Sequence, residues 1–383
     1  MNVGIIGSGA MGAGIAQVAA MAGHSVHIYD TAAPALQRAQ SGLQTTLQKL
    51  EEKGKLPDAA TVMNRFQFTG TLADLAPCHL VIEAIVENLD IKKKVFAELE
   101  AVVSAGCILA TNTSSLSVTA IAAACRQPER VLGLHFFNPA PLMALVEVVP
   151  ALQTREGLVP ELMALMQQWG KMPVQTKDTP GFIVNRLARP FYGEAIRIYE
   201  EGIASPATLD WAMTTLGGFR MGPFTLMDYI GHDVNYVVTE TVWTSFFYDP
   251  RYKPSFSQKR LLEAGWLGRK TGRGFYEYAE GTVLPEPVMD EALGRHLVDR
   301  IGAMLMNEAI EALHLGVASA ADLEMAMTKG VNYPKGLLQW ADDAGAARVL
   351  AVLDALYEEY GEDRYRASVL LRQKARNDER FLS

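Results

Sequence analysis

The sequence predicts an α/β protein: a doubly wound parallel sheet, followed by an all-helical part that occurs twice. Three observations lead to this fold class. Short apolar runs alternate with amphipathic stretches over residues 1–178, the later sequence is mostly helical in its period, and the helical part repeats itself. Strands that alternate with helices are typical of βαβ units, which build parallel sheets. The predicted domains are residues 1–178, 179–280 and 289–383.

The first part contains seven predicted strands, each a short apolar run between turn or helix signals. They cover residues 3–6, 25–29, 79–84, 107–112, 131–137, 145–149 and 173–176. The runs at 131–137 and 145–149 are joined by a short segment with Pro139 and Pro141. Because a parallel crossover needs a dozen or more residues, we expect this pair to be antiparallel.

The helical part is an internal duplication. Its start is marked by residues 178–182 (DTPGF), and residues 280–288 (EGTVLPEPV) have the composition of a linker. Residues 185–214 align with residues 299–328 at a fixed offset of 114, with 12 of 30 positions identical. Composition alone would give about two matches. The second copy therefore serves as an internal control for any role assigned to the first.

The bulk composition excludes several classes of protein. The chain has 383 residues, 49% of them hydrophobic, and a net charge of −8 without a Lys/Arg-rich block. These values argue against nucleic acid or an anionic membrane as a partner. No apolar run reaches about 18 residues, so no transmembrane helix is expected, and the first strand starts too early to leave room for a signal peptide. The three cysteines lack metal or disulfide spacing, which predicts reduced thiols, no metal and a cytoplasmic location.

A glycine-rich turn follows the first strand directly. Gly7, Gly9, Met11 and Gly12 lie in the sequence GSGAMG, which opens an amphipathic helical run. Such glycines allow a tight turn and a close approach to a pyrophosphate, and the helix N-terminus supplies N–H donors. Asp30 closes the next strand, where a carboxylate accepts hydrogen bonds from the adenosine ribose. The pattern predicts a Rossmann-type site for NAD rather than NADP, against the alternative of a plain turn with a capping aspartate.

Two ionisable residues lie inside apolar runs: His135 in the fifth predicted strand and Glu147 in the sixth. A buried carboxylate needs a partner, and a buried imidazole needs one for its second nitrogen. Paired on adjacent strands, the two residues would form a general base that works near neutral pH. The alternative is a pair of satisfied core groups without chemistry, which these residues alone do not exclude.

Two further polar positions are candidates for substrate contact. Ser114 belongs to a hydroxyl cluster after the strand at 107–112, at the edge where ligands bind in doubly wound sheets. Asn185 begins the helical part, so its amide could reach an interdomain cleft. The alternatives are a helix N-cap for Ser114 and a polar helix-start residue for Asn185. The second copy has Asp299 in place of Asn185, and an aspartate could not donate amide hydrogen bonds.

These motifs together resemble the short-chain L-3-hydroxyacyl-CoA dehydrogenase family from residue 1 to about residue 278. The trailing copy resembles the duplicated C-terminal domain of longer bacterial members and of multifunctional β-oxidation proteins. The motifs that carry the resemblance are GSGAMG (7–12), EAIVENL (83–89), NTSSL (112–116), GLHFFNPAPLMALVEVV (133–149), DTPGFIVNR (178–186) and GRKTGRGFYEY (268–278).

The resemblance implies roles for individual residues. It implies that His135 is the catalytic base, that Glu147 orients it, and that Ser114 and Asn185 bind the reacting oxygen and the thioester. The positions implied for the cofactor or the cleft are Asp30, Glu87, Lys92, Asn138 and Lys270. Those implied for coenzyme A are Thr46 and Lys53, with Ser114 at the thioester end; Thr46 stands where some members have serine.

The activity that the resemblance implies is NAD-dependent, reversible oxidation of an L-3-hydroxyacyl-CoA in fatty acid, butanoate or aromatic-acid catabolism. The alternatives are a dehydrogenase of free hydroxy acids and a catalytically silent NAD-binding protein. A β-hydroxyacid dehydrogenase would need a lysine on its long interdomain helix, and no lysine occurs between Lys177 and Lys253. We expect a monomer or a homodimer. Because single-copy relatives dimerise through the helical domain, the second copy is expected to imitate that partner.

Overall fold

In a computed structural model of the protein, the structure describes residues 1–382. The chain forms two compact units, residues 1–182 and residues 183–383. The first is an α/β unit built on one sheet, and the second is helical and contains both copies of the repeat. The predicted fold class, a Rossmann-type sheet followed by a duplicated helical part, is confirmed.

The sheet of the first unit has eight strands in the order β3-β2-β1-β4-β5-β6-β7-β8. All neighbouring strands pair in parallel except β6 and β7, which are antiparallel as predicted. The strands are β1 (Asn2–Ile6), β2 (Ser25–Tyr29), β3 (Phe66–Thr69), β4 (Leu80–Glu83), β5 (Ile108–Thr111), β6 (Val131–Phe136), β7 (Leu145–Pro150) and β8 (Met172–Gln175).

Six helices cover the two faces of this sheet, and both faces are apolar. The strands β4, β5 and β6 are buried at every position, as expected for parallel strands packed on both sides. The helices are α1 (Ala10–Met21), α2 (Ala33–Glu52), α3 (Ala59–Met63), α4 (Leu89–Glu100), α5 (Val118–Ala122) and α6 (Leu158–Gln168).

The second unit contains eleven α-helices in its described residues. They are α7 (Val184–Leu187), α8 (Arg189–Glu200), α9 (Pro206–Trp211), α10 (Pro223–Ile230), α11 (His232–Ser245), α12 (Phe256–Glu263), α13 (Glu291–His314), α14 (Ala320–Gly330), α15 (Leu337–Ala344), α16 (Ala346–Tyr360) and α17 (Val369–Asn377). In the second copy, the single long helix α13 corresponds to α7 and α8 of the first. Over residues 1–382, no helix combines the length and the apolar character that a membrane span needs.

The two helical copies contact each other through reciprocal ion pairs. Arg186 of the first copy donates to Glu308 of the second (2.5 Å), and Arg300 of the second donates to Glu194 of the first (2.7 Å). All four side chains are at most 3% exposed. Because Arg186 is equivalent to Arg300 and Glu194 to Glu308, each copy offers its partner the same pair of residues. This is the pattern of a two-fold symmetric interface.

Each glutamate of the reciprocal pairs also binds a tyrosine and a second arginine. Glu308 accepts a hydrogen bond from Tyr252 (2.5 Å), and its other oxygen lies 3.5 Å from Arg251. On the opposite side, Tyr365 and Arg364 contact Glu194 at 2.7 and 3.4 Å. The repeat therefore extends to a second segment, residues 249–255 and 362–368, at an offset of 113 instead of 114.

Candidate active site

The turn after β1 has the geometry of a phosphate-binding loop. Gly7 has a φ of +99°, a conformation that favours glycine, and a Cβ at Gly12 would lie 1.9 Å from the carbonyl oxygen of Gly7. The space around Gly9 is open. No side chain caps the first amides of α1, so its N–H groups can bind an anion, while Met11 packs against the core. The loop fits the pyrophosphate of a dinucleotide.

Asp30 lies at the end of β2, beside the glycine loop. It accepts hydrogen bonds from the amide and hydroxyl of Ser8 (2.8 and 2.7 Å) and from the amide of Ala32 (2.9 Å). Burial raises the pKa of Asp30, but these hydrogen bonds outweigh it and hold the pKa below its ordinary value. A carboxylate is therefore present at neutral pH at the position where a Rossmann-type site binds the adenosine ribose.

His135 and Glu147 stand directly opposite each other on the antiparallel strands β6 and β7. The Nδ1 atom of His135 lies 2.7 Å from Oε2 of Glu147, and the two side chains are 7% and 0% exposed. Because an ionised carboxylate only accepts, Nδ1 carries the hydrogen, and Nε2 is left as the basic nitrogen. The rings of Phe137 and Phe182 lie 4.4 and 5.9 Å from the imidazole centroid. The predicted pairing of these two residues is present.

Glu87 organises the turn that follows β5. Its Oε1 atom accepts hydrogen bonds from the Thr113 hydroxyl (2.6 Å), from the amide and hydroxyl of Ser114 (2.8 and 3.2 Å) and from the Ser115 amide (3.2 Å). Burial raises the pKa of Glu87, but the charge of Lys92 and these hydrogen bonds lower it below its ordinary value. The predicted residues Glu87, Lys92 and Ser114 thus form one cluster at the carboxyl edge of the sheet.

Beneath this cluster lies Glu83, a residue that was not predicted for the site. Glu83 ends β4, is fully buried, and accepts hydrogen bonds from Lys92 (2.6 Å), from the Thr111 hydroxyl (2.7 Å) and from the Ile85 amide (2.7 Å). Lys92, 1% exposed, also reaches Glu87 at 3.3 Å. In the sequence, the only sign that Glu83 holds Lys92 was its position as a carboxylate inside an apolar run.

The loop between β6 and β7 is held by a second buried lysine, Lys171. Its ammonium group donates to the carbonyl oxygens of Ala140 (2.5 Å) and Met143 (2.8 Å), and burial lowers its pKa. In this loop, Asn138 is exposed and is followed by a cis peptide bond to Pro139. No motif in the sequence singled out Lys171.

A cavity of about 880 Å³ opens between α1, α2 and this loop. Its lining includes Ser8 and Gly9 of the phosphate-binding loop, so it continues from the dinucleotide site. Of the two residues implied for coenzyme A, Thr46 lines this cavity, and Lys53, the residue after α2, does not. The cationic side chains of the lining are Arg38 and Lys55.

Two of the predicted residues belong to the helical unit. Asn185 lies on α7, half-buried, and its carbonyl oxygen accepts a hydrogen bond from Arg189 (2.9 Å). Lys270 lies in a short helical turn and forms an ion pair with Asp233 (2.5 Å). Among residues 1–382, no group of histidine, cysteine or acidic side chains could hold a metal ion.

Models of known protein families match most of the chain. The model for the NAD-binding domain of 3-hydroxyacyl-CoA dehydrogenase matches residues 2–179, and the model for the C-terminal domain of the same enzyme matches residues 181–278 and 296–380. The chain belongs to the 3-hydroxyacyl-CoA dehydrogenase family. Both helical copies are covered by the C-terminal model.

Individual members of the 3-hydroxyacyl-CoA dehydrogenase family are similar over most of the chain. The 3-hydroxyadipyl-CoA dehydrogenase of Escherichia coli K12 is 39% identical over 98% of this chain and 97% of its own. The crystal structure of a 3-hydroxybutyryl-CoA dehydrogenase from the same organism has a TM-score of 0.93 at 38% identity and 98% coverage of each chain. The human mitochondrial hydroxyacyl-coenzyme A dehydrogenase is 41% identical over 72% of this chain and 91% of its own.

Membership of this family confirms several predictions made from the sequence. The resemblance itself, the oxidoreductase activity and NAD as the cofactor are confirmed, and so is the reaction class, NAD-dependent oxidation of a hydroxyacyl-CoA. The glycine loop and Asp30 fit this cofactor, since both have the geometry that a dinucleotide needs.

Proposed function

We propose that the protein oxidises the 3-hydroxyl group of an L-3-hydroxyacyl-CoA thioester, with His135 as the base and Glu147 as the residue that makes it basic. The observation that carries this proposal is the hydrogen bond of 2.7 Å between Nδ1 of His135 and Glu147, buried at the carboxyl end of β6. A carboxylate behind an imidazole fixes its tautomer and stabilises the imidazolium that forms.

The proton and the hydride leave the substrate in different directions. Nε2 of His135 accepts the proton of the 3-hydroxyl group, the C3–O bond becomes a carbonyl, and the hydride leaves C3. NAD supplies the hydride acceptor. Glu147 stabilises the positive imidazole, and in the reverse reaction the same nitrogen returns the proton. The product is a 3-oxoacyl-CoA.

Ser114 and Asn185 are the proposed donors to the substrate oxygens. Glu87 fixes the Ser114 backbone and hydroxyl through two hydrogen bonds, so the turn that carries Ser114 is ordered before substrate binds. Donors that are ordered in advance stabilise developing charge at little reorganisation cost. The side-chain amide of Asn185 has the chemistry for the same task, and Asp299 of the second copy does not.

The coenzyme A portion is assigned to the cavity between α1 and α2. Its volume of about 880 Å³ suits a long, partly apolar chain, and Thr46 offers a hydroxyl within it. Arg38 and Lys55 provide positive charge for the phosphates. Lys53, the exposed residue directly after α2, remains a candidate contact for coenzyme A outside the cavity lining.

The test is His135→Gln, which keeps a polar side chain but removes the basic nitrogen. We expect kcat for acetoacetyl-CoA reduction to fall by roughly 10²–10⁴-fold, because general acid–base catalysis is lost. The dissociation constant of reduced NAD, followed by fluorescence, should stay unchanged. The exposed His296 provides the matched control, His296→Gln, which should keep full activity. Retained turnover in His135→Gln would remove this residue from the proposed role.

The identity of the acyl group that the substrate carries is a separate question within this proposal. Two relatives with both helical copies are named for 3-hydroxyadipyl-CoA and 3-hydroxybutyryl-CoA, so these two thioesters are the first substrates to compare. A series of 3-hydroxyacyl-CoA chain lengths, with the matching free acids beside it, measures the preference as kcat/KM. Turnover of free acids at rates equal to those of the thioesters would favour the alternative of a hydroxy acid dehydrogenase.

We also infer that the second helical copy takes the place of a dimer partner. The face of the first copy that carries Arg186 and Glu194 is covered by Glu308 and Arg300. Light scattering on the full chain, combined with cross-linking and peptide mapping, tests this inference. We expect no contact between two chains through α8; a dimer joined through that helix would contradict it.

A cytoplasmic location is inferred from the cysteines. Cys78, Cys107 and Cys125 are buried and unpaired, and burial raises the pKa of the Cys78 thiol to about 12. Protonated thiols of this kind suit a reducing compartment. Cell fractionation with an antibody against the protein tests this inference.

A further inference from the structure

Two carboxylates, one at the end of β4 and one in the loop that follows it, share a single lysine. Glu83 and Glu87 both contact Lys92, at 2.6 and 3.3 Å. Lys92 and Glu83 are almost fully buried, so solvent screens their two charges weakly, whereas the side chain of Glu87 is 36% exposed. No other cation forms an ion pair with either glutamate within residues 1–382.

The hydrogen bonds identify both glutamates as ionised. In Glu83, one oxygen accepts from Lys92 and the Ile85 amide, and the other accepts from the Thr111 hydroxyl. The Thr111 hydroxyl donates to Glu83 and accepts a hydrogen bond from the Thr113 amide (3.2 Å). Neither oxygen of Glu83 needs a proton. With Glu87 also ionised, the three side chains carry one net negative charge.

The sheet order determines which half of the cofactor meets this charge. The glycine loop and Asp30 follow β1 and β2, whereas Glu83 and the turn fixed by Glu87 follow β4 and β5 on the other side of β1. In doubly wound folds the dinucleotide crosses the point where the strand order reverses. With the adenosine at β2, the nicotinamide half of a bound dinucleotide would lie over β4 and β5. Its ring carries a positive charge when oxidised and none when reduced.

We propose that Glu83 is a positioning residue that leaves one net negative charge near the nicotinamide and thereby shifts the relative affinity of the site toward oxidised NAD. Lys92 held by Glu83 neutralises only one of the two carboxylates, and the remaining charge attracts the positive ring. The proposal rests on the NAD site of the family and on the placement of the cofactor across the sheet. It is independent of the catalytic role given to His135.

The experiment measures dissociation constants of both cofactor forms, without turnover. In Glu83→Gln the net charge of the group becomes zero, and we expect the constant for oxidised NAD to rise about tenfold while that for reduced NAD changes less than about twofold. Thr111→Val removes a hydrogen bond to Glu83 but no charge, so the ratio of the two constants should stay as in the wild type. Glu98→Gln, on the exposed face of α4, is the surface control.

The ratio of the two dissociation constants distinguishes an electrostatic effect of Glu83 from a purely structural one. A Glu83→Gln protein that weakens both forms equally, or changes neither, overturns the proposal. If Glu83→Gln does not fold, Lys92→Gln gives the opposite change, since the net charge becomes −2. The ratio should then shift toward still tighter relative binding of oxidised NAD, and an unchanged ratio in that folded variant overturns the proposal as well.

Discussion

In each helical copy, a carboxylate binds the first backbone amides of an equivalent helix. Asp210 accepts hydrogen bonds from the first amides of α10, and Glu324, 114 residues later, does the same for α15. Gly231 and Gly345 follow these helices with φ of +99° and +84°. The reciprocal ion pairs add a second set of shared contacts. Both copies therefore retain the interactions that build their fold.

The copies differ at Asn185, which was predicted to meet a ligand, and at its neighbour Arg189. Asn185 of the first copy becomes Asp299, and the buried Arg189 beside it becomes Ala303. Asp299 is engaged with Arg348 on the surface (2.9 Å). The two copies therefore share the residues that build the fold but not the residue proposed to contact the substrate. A substrate role that needs an amide belongs to the first copy alone.

The largest effect is expected from breaking the shared contacts. Glu308→Ala leaves the buried Arg186 without the carboxylate of its ion pair, while Arg251 keeps its ion pair with Asp249. Glu194→Ala removes one carboxylate from Arg300, which keeps its ion pair with Glu201. Glu308→Ala should therefore lower the free energy of unfolding by about 3–5 kcal/mol, because the buried charge of Arg186 is left uncompensated. Glu194→Ala should cost less, because Glu201 still compensates Arg300. Urea unfolding measures the loss. Glu291→Ala, in an exposed ion pair, should cost less than about 1 kcal/mol.

A larger loss for Glu308→Ala than for Glu194→Ala would show that Glu201 supports Arg300 and that Arg186 has no such second partner. A loss for Glu194→Ala equal to or larger than that for Glu308→Ala would contradict this difference between the copies.

A large effect on activity is expected from making the first copy resemble the second. Asn185→Asp keeps the size of the side chain but removes its N–H donors. We expect kcat/KM for a 3-hydroxyacyl-CoA to fall by roughly 10²–10³-fold, as for the loss of one donor to a reacting oxygen. The mirror substitution Asp299→Asn should leave kcat/KM unchanged. Steady-state kinetics on both variants, with melting temperatures to exclude unfolding, checks the asymmetry; equal effects would refute it.

The smallest effect concerns pH, and it should be common to both copies. Burial raises the pKa of Asp210 and of Glu324 above their ordinary values of 3.8 and 4.5, despite hydrogen bonds that lower it. The native state then binds the proton more tightly than the unfolded state. This contribution favours folding below the unfolded pKa and is lost as the pH rises through the folded pKa.

Asp210→Asn and Glu324→Gln each remove a carboxyl group and with it this pH-dependent contribution to stability. Each variant should therefore become more stable relative to the wild type as the pH rises from about 4 to 7. The expected gain is below about 1 kcal/mol. Urea unfolding at several pH values measures it, and profiles parallel to the wild type would contradict the raised pKa.

Most of the sheet was predictable because its strands are continuous apolar runs. The strand β3 was missed: it is short, lies at the sheet edge and has only one buried residue, so its composition resembles a loop. The antiparallel pair β6 and β7 followed from the length of its connection. The register that sets His135 against Glu147 followed from the need of each for a partner.

The rest of the site could not be read from the sequence, since it depends on contacts between distant segments. Glu83 meets Thr111 and Lys92 only because β4, β5 and α4 lie side by side. The matching arginines and glutamates of the repeat were visible at a fixed offset. That they pair across the copies was not, and the shift to an offset of 113 concealed the equivalence of Tyr252 and Tyr365.

The linker between the copies allows the two sides of their interface to evolve independently. In a homodimer, one gene encodes both sides of the interface, so any substitution appears twice. Here the two sides are separate stretches of one gene, held together at a high effective concentration by residues 280–288. The second copy can lose its ligand-facing residues while its interface persists, and dilution does not separate it from the first.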